Sequence, residues 1–262
     1  MQVFSFDTEP RANPALGLIA LQVDERIEAD FRQLLPQAVD LMVTRVPSGL
    51  DVTPDTLAQM EGALPQAAAL LPGGVDFDVV AYGCTSGAAQ IGPARVAQQV
   101  RAGARSAHVT DPVSALVAAC RALGLRRLAL LSPYVEDVSD RLRQVLGQNG
   151  IDTPVFGSFA ESEEARVARI TPESVVGAAR ELTAGGAFST APVDGIFLSC
   201  TNLNTLPAIP VLERETGLPV LSSNLVLIWH MLALAGVGPA TLHNSLDCAL
   251  TRLDQHQREV SA

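Results

Sequence analysis

The chain lacks most of the short signatures that announce a function. No Gly-x-Gly-x-x-Gly follows an apolar run, and no Gly-rich phosphate loop ending in Lys and Ser or Thr occurs. Neither a nicotinamide or flavin nor a nucleoside triphosphate is therefore expected. Leu71-Pro72-Gly73-Gly74 reads as a loop, not a phosphate cradle. The four cysteines, at 84, 120, 200 and 248, show no Cys-x-x-Cys spacing. That disfavours a metal site, a disulfide framework and a short-spaced redox pair. No apolar run reaches the roughly 18–20 residues of a membrane span. The nearest, Leu225 to Val237, is shorter and contains His230. The first residues lack a basic region and an uninterrupted apolar one, so no secretory signal is expected and the cytoplasm is the expected compartment. Charged residues are scarce at 18%, and the net charge is −10. An acidic balance argues against a nucleic-acid groove, although backbone amides can still hold a small anion.

What is present is a buried α/β pattern. Hydrophobic residues make up 48% of 262, ample for a core in one large domain or two smaller ones. Apolar runs at Gly17–Leu21, Leu41–Val46, Val79–Tyr82 and Ala107–Val109 read as strands, as do Leu128–Leu131, Val155-Phe156, Ile196–Leu198 and Pro219–Leu221. Helical patterns alternate with them: Asp24–Leu35, from Thr53-Pro54, Pro93 to about Gly103, Ser114–Leu123, Val138–Leu146, Pro172–Leu182, Leu206–Thr216 and Ser223–Ala235. Continuous apolar strands imply burial on both faces, hence parallel sheets covered by helices. The strands at Leu18 and Leu128 stand 110 residues apart and Cys84 and Cys200 stand 116 apart, a period that indicates a duplicated domain. The expected boundaries are 1–112 with 225–262 for the first domain and 113–224 for the second.

The two halves share a sentence. Asp78-Val79-Val80-Ala81-Tyr82-Gly83-Cys84-Thr85-Ser86 matches Asp194-Gly195-Ile196-Phe197-Leu198-Ser199-Cys200-Thr201-Asn202. In each, a strand carries a thiol at its carboxyl end, where open α/β sheets bind ligands. A helix start just beyond each thiol would lower its pKa. Thr85, Ser86, Thr201 and Asn202 would supply hydroxyl, amide and main-chain donors for a carboxylate. One thiolate could then take a proton from the α-carbon while the opposite thiol returns one, the donors stabilising the enediolate charge. Alternatively one thiolate adds to a carbon–carbon double bond, which then rotates. Free cysteines are ordinarily small core residues, and that is the reading for Cys120 and Cys248.

The segments Ala81-Tyr82-Gly83-Cys84-Thr85-Ser86-Gly87 with Ile91-Gly92-Pro93, Leu131-Ser132-Pro133-Tyr134, Leu198-Ser199-Cys200-Thr201-Asn202-Leu203, Leu221-Ser222-Ser223-Asn224 and Trp229-His230 resemble those of maleate cis-trans isomerases. The wider group is the aspartate/glutamate racemase superfamily, which includes arylmalonate decarboxylases. The resemblance runs from about Leu16 to Gly238. It implies two Rossmann-like three-layer αβα domains with parallel sheets related by pseudo-twofold symmetry. It also implies no cofactor, a small carboxylate substrate bound between the domains, and a homo-oligomer; with the cysteine spacing, no metal is expected. It carries over Cys84 as nucleophile or base, Cys200 as the opposing acid/base and Tyr134 as a carboxylate ligand. Arylmalonate decarboxylases keep only the second cysteine, so two cysteines favour an isomerase or racemase over decarboxylation.

Two positions depart from the maleate isomerase pattern. Asp24 stands where that family has an Asn after the first strand, and Glu163 takes the place of an Asn ahead of Val167-Ala168-Arg169-Ile170. Carboxylates there would repel a dicarboxylate. Asp24, with Glu163, would instead pair with an ammonium group, favouring amino acids or N-substituted diamino acids. The competing reading is that Asp24 only caps the helix behind it. His230 is expected to be a packed or supporting residue and His108 to support the cleft. Against the enzyme reading stands a protein that binds a small carboxylate without turning it over.

Overall fold

A computed structural model describes residues 1–184, 192–238 and 246–250. These form two four-stranded, all-parallel sheets flanked by helices. In the first half, β1 (Ala15–Leu21), α1 (Ile27–Leu34), β2 (Asp40–Val46), α2 (Pro54–Ala69) and β3 (Phe77–Gly83) follow in order. Then come α3 (Thr85–Ile91), α4 (Pro93–Gly103), β4 (Ser106–Thr110) and α5 (Pro112–Leu123). The second half runs β5 (Arg127–Tyr134), α6 (Glu136–Gln148), β6 (Asp152–Glu161), α7 (Glu164–Val167), α8 (Pro172–Thr183), β7 (Gly195–Leu198), α9 (Ala208–Thr216), β8 (Val220–Ser222) and α10 (Ser223–Leu234). The strand orders are β2-β1-β3-β4 and β6-β5-β7-β8, the same topology twice, as the duplication in the sequence implies.

The central strands are buried from end to end in β1, β7 and nearly all of β3 and β5. Leu16, Leu18, Ile19, Tyr82, Leu128, Leu130 and Phe197 are among the largest side chains fully removed from water. Such side chains each contribute about 1.5–3 kcal/mol on burial. The edge strand β6 alternates exposed and buried positions, and so extends well beyond the apolar pair Val155-Phe156 that marks it in the sequence. The matched aspartates have matched structural jobs. Asp78 accepts the Ala15 N–H at the head of β1 (2.7 Å), and Asp194 accepts the Arg126 and Arg127 N–H groups at the head of β5 (both 2.9 Å). Each secures the first main-chain donor of the neighbouring strand, which no ladder partner reaches.

Helix starts follow local chemistry. Asp111 caps α5 by accepting from Val113 and Ser114, and Ser222 caps α10 by accepting from Leu225. Gly92, at φ +93°, ends α3 and hands the chain to Pro93 at the head of α4. The α9 helix starts two residues later than its apolar pattern suggests, because Leu206 precedes Pro207 and is biased away from helical backbone. Helix α10 packs on α5, α1, β3 and β4, so a helix that follows the last strand of the second sheet covers the first sheet. The expected return of residues 225–262 to the first domain lies beyond residue 238 outside the described residues, save 246–250. Among the described residues no helix is long and apolar enough to cross a membrane.

Candidate active site

In each sheet the two central strands send their following loops to opposite faces, leaving a crevice at their carboxyl ends. The crevice of the first sheet holds the turn with Asp24 after β1 and Cys84 after β3. That of the second holds Tyr134 at the end of β5 and Cys200 after β7. The two crevices meet. Cys84, Thr85, Ser86, Tyr134, Glu164, Cys200 and Thr201 line one cavity together with Leu21, Val52 and Leu57. It leaves about 10 Å³ to the centre of a water-sized sphere, room for about one water molecule. A roomier concavity of about 520 Å³, lined by Arg127, Asp140 and Arg143 among others, contains no thiol. The chemistry therefore belongs to the small cavity.

A clasp closes it. The β2–α2 loop of the first half reaches the segment before α7 in the second half. Val52 N–H donates to Ser162 O (3.0 Å), Glu164 N–H donates to Leu50 O (3.1 Å), and Asp51 and Glu163 pair as an antiparallel bridge. Arg169 adds a surface ion pair to Glu25 at 2.9 Å.

The two thiols differ in setting. Cys84 caps α3, its sulfur accepting the Gly87 N–H at 3.2 Å. A Cβ at position 87 would stand 2.9 Å from that sulfur and 2.4 Å from the Tyr82 hydroxyl, so only glycine fits. Cys200 begins no helix; a turn follows, and α9 starts at Ala208. Its backbone takes φ +103°, a conformation that costs a non-glycine residue about 1–3 kcal/mol. Ser223 holds it there: its hydroxyl accepts the Cys200 N–H (3.0 Å) and the Thr85 hydroxyl (2.8 Å), joining both halves at one oxygen. Thr201 adds a second tie, donating to Gly83 O at 3.3 Å.

The expected lowering of the thiol pKa values is overturned. Burial pushes Cys84 up to about 12, the ionised Glu164 adding to the rise against the Gly87 N–H. Burial also drives Cys200 well above the ordinary thiol range, again with Glu164 and Asp24 adding to it. Desolvation of a charge outweighs one amide hydrogen bond.

The acids are also rearranged relative to expectation. Glu163 is exposed and its main chain pairs with Asp51, whereas its neighbour Glu164 is buried at the thiols. Glu164 accepts from the Tyr134 hydroxyl on Oε1 and from Asn202 Nδ2 on Oε2, both at 2.8 Å. Burial raises its pKa against those two donors. Asn202 is consequently committed: its Nδ2 serves Glu164, and its Oδ1 accepts the Glu25 N–H at 2.8 Å. It supports Glu164 and does not line the cavity. Asp24 caps the turn into α1, Oδ1 accepting from Arg26 and Ile27 at 2.8 Å each. Its Oδ2 is buried and has no hydrogen-bond partner among the described residues. Thr201 is the neighbouring hydroxyl, and its single proton points to Gly83 O instead. Burial raises the Asp24 pKa, and its charge bears on both thiols.

Sequence reasoning missed Glu164, Ser223 and the pair Asp30–Asn224 behind them, in which Asn224 Nδ2 donates to Asp30 at 2.8 Å and to Thr201 O at 2.8 Å. The available signal for Glu164 was its helical spacing to Val167, both being buried in α7. His230 is half-buried, bonded to Thr110 (2.8 Å) and stacked on Trp229, away from the cavity. His108 is exposed on the edge strand β4 and does not support the cleft. Cys120 and Cys248 are buried in the core.

Comparison with known proteins bears on the family and the fold. The family model described as arylmalonate decarboxylase matches residues 102–245, more than half of the chain. Arylmalonate decarboxylase of Bordetella bronchiseptica is 37% identical over 130 residues, 49% of this chain and 52% of that protein. Maleate isomerase of Nocardia farcinica is 30% identical over 154 residues, 56% of this chain and 59% of that protein. The chain thus matches little more than half the length of these relatives. Among solved structures, a double mutant of arylmalonate decarboxylase in liganded form superposes with TM-score 0.74 at 27% identity, over 89% of this chain and all of that one. A Nocardia farcinica maleate cis-trans isomerase mutant carrying a covalently bound succinylcysteine intermediate gives TM-score 0.76 at 24% identity, over 93% and 98% of the two chains. At that identity, the likeness speaks for the fold.

Proposed function

The chain belongs to the arylmalonate decarboxylase family, and from that premise we propose a cofactor-independent isomerase or racemase that works on a small carboxylate with two thiols. The observation that carries this reading is that Cys84 and Cys200, from corresponding strands of two matched sheets, line one closed cavity. Binding alone would need hydroxyls and amides, not a second acid facing the first. One thiolate removes the α-proton, and the opposed thiol delivers one to the other face. The first helical bond of α3 runs from Ala88 N–H to Cys84 O, which leaves the Thr85 and Ser86 amides for the substrate carboxylate. With the Ser86 hydroxyl they stabilise the enediolate as charge moves onto its oxygens.

Charge narrows the substrate. Glu164 lines the cavity and Asp24 lies beside the cavity residue Thr201, while no arginine or histidine is among the described lining residues. A dianion such as maleate would meet repulsion without a compensating cation. A carboxylate bearing an amino or other N–H group fits better, the nitrogen donating to a carboxylate of the site. Decarboxylation of a malonate is the second reading, favoured by the family model and the Bordetella relative. It needs one proton donor only and leaves Cys84 without a task.

A substrate panel separates these readings. The protein is incubated in heavy water with maleate, phenylmalonate, aspartate, glutamate and diamino-acid derivatives and followed by NMR. The expected result is deuterium at the α-carbon of an amino-acid substrate. Loss of carboxylate from phenylmalonate would favour the decarboxylase. Fumarate formed from maleate would overturn the charge argument.

A further inference from the structure

We propose that Glu164, acting through the Tyr134 hydroxyl, receives the proton of Cys200, so that the thiolate forms inside the closed site with no change in net charge. The inference rests on the two-thiol reading and adds a task for an acid that this reading leaves unused.

The direction of the chain follows from counting protons. The Tyr134 oxygen lies 2.8 Å from Glu164 Oε1 and 3.0 Å from Cys200 Sγ. An ionised carboxylate can only accept, and Tyr134 has one proton. That proton therefore goes to Glu164, and the phenol oxygen is left to accept from the Cys200 S–H. All three groups are buried. In the transfer, the S–H bond breaks and its proton moves to Tyr134 Oη, while the former Tyr134 proton moves to Glu164 Oε1. One negative charge passes from carboxylate to sulfur, nothing is oxidised or reduced, and no proton leaves the site.

The electrostatic surroundings make this route matter. Asp24 from the β1–α1 turn and Cys84 from the end of β3 face the same chain of atoms, and Asn202 from the loop after β7 donates to Glu164. A second negative charge added beside Glu164 would be repelled and poorly solvated. Exchanging one charge for another avoids that. Among the described residues Glu164 has no cation as a partner; Asn202 Nδ2 and the Tyr134 hydroxyl are its side-chain donors. A buried carboxylate without an ion-pair partner is costly to keep, and a proton-accepting role gives it a reason to be there.

The test separates a proton acceptor from a mere neighbouring charge, because the two give profiles of different slope. Alkylation of Cys200 by iodoacetamide is followed from pH 6 to 10 by peptide mass spectrometry in the wild type, Glu164→Gln and Tyr134→Phe. A thiolate formed by transfer to Glu164 needs no proton released to water, so the proposal expects a wild-type rate that is slow and nearly flat from pH 6 to 8. Both variants must release the thiol proton to water, and their rates should rise about tenfold per pH unit over the same range. A wild-type profile as steep as that of Glu164→Gln would overturn it. Should circular dichroism show Glu164→Gln unfolded, Tyr134→Phe, which deletes a single oxygen, decides on the same criterion. The readout needs no substrate, so inactivity across the substrate panel would defeat the function reading without touching this one.

Discussion

At the scale of single residues, the site is built by positions that tolerate one side chain for reasons unrelated to reactivity. Cys200 sits at φ +103°, where an L side chain is strained and glycine is not. Comparing Cys200→Ala with Cys200→Gly isolates that strain, since both remove the thiol. The glycine variant should be the more stable by about 1 kcal/mol in urea unfolding despite its larger chain entropy; an alanine variant of equal or greater stability would show the backbone unstrained. Much of this layer was legible from sequence. Cys84, Cys200, Thr85, Ser86 and Thr201 line the cavity because a thiol ending an apolar strand has a defined place in a parallel sheet; Tyr134, which lines it too, was expected only from the family resemblance. The acids were harder. Glu161, Glu163 and Glu164 are chemically alike, and which one turns inward is decided by the clasp with Leu50 and Val52, a contact between segments more than 100 residues apart. The matched Asp78 and Asp194 show the converse, a repeated signal that marks strand anchoring and not chemistry.

At the scale of elements, the surprise is how much buried charge the helix starts carry. Asp30, in α1, is fully buried against Asn224 of α10, and burial pushes its pKa up to about 6 from 3.8. An acid with a raised folded pKa binds its proton more tightly in the native state. Its contribution to stability is therefore full below about pH 3.8, falls as pH rises towards 6 and stays lost above it. The loss is of order 3 kcal/mol at most. Asp30→Asn, which keeps an acceptor for Asn224, should raise the melting temperature at pH 8 and have little effect at pH 4. A variant less stable than wild type at pH 8 would mean that the charge itself is stabilising, through Arg26. The strands were readable as continuous apolar runs, and their parallel pairing follows from burial on both faces. The helix start expected beyond Cys84 is there as α3, although its seven residues, Thr85–Ile91, are too few to show a helical period of their own. The helix expected directly after Cys200 is absent, residues 201–207 forming turns before α9 starts at Ala208, and with it goes the local reason for a low thiol pKa.

At the scale of the whole molecule, the duplicated sheets place two thiols in one cavity, and the clasp seals it to about 10 Å³. A space of that size holds no substrate, and release of residues 162–164 by the β2–α2 loop would open it. Asp51 and Glu163 are directly paired, close enough for a disulfide. The oxidised Asp51→Cys/Glu163→Cys variant should shield Cys84 and Cys200 from iodoacetamide and lose activity, both reversed by dithiothreitol. Alkylation at the wild-type rate while oxidised would place the entrance elsewhere. The duplication itself was plain in the matched cysteine segments; the clasp was not, since neither of its strands has a pattern of its own. The claim on which all of this depends is that both thiols handle the same α-proton. In heavy water, with a single enantiomer of an amino-acid substrate, wild type should form the opposite enantiomer with deuterium at the α-carbon. Cys84→Ser and Cys200→Ser should each abolish that inversion, and the variant that keeps the base should still exchange deuterium with retention. Inversion at the wild-type rate in either serine variant would contradict the two-thiol reading.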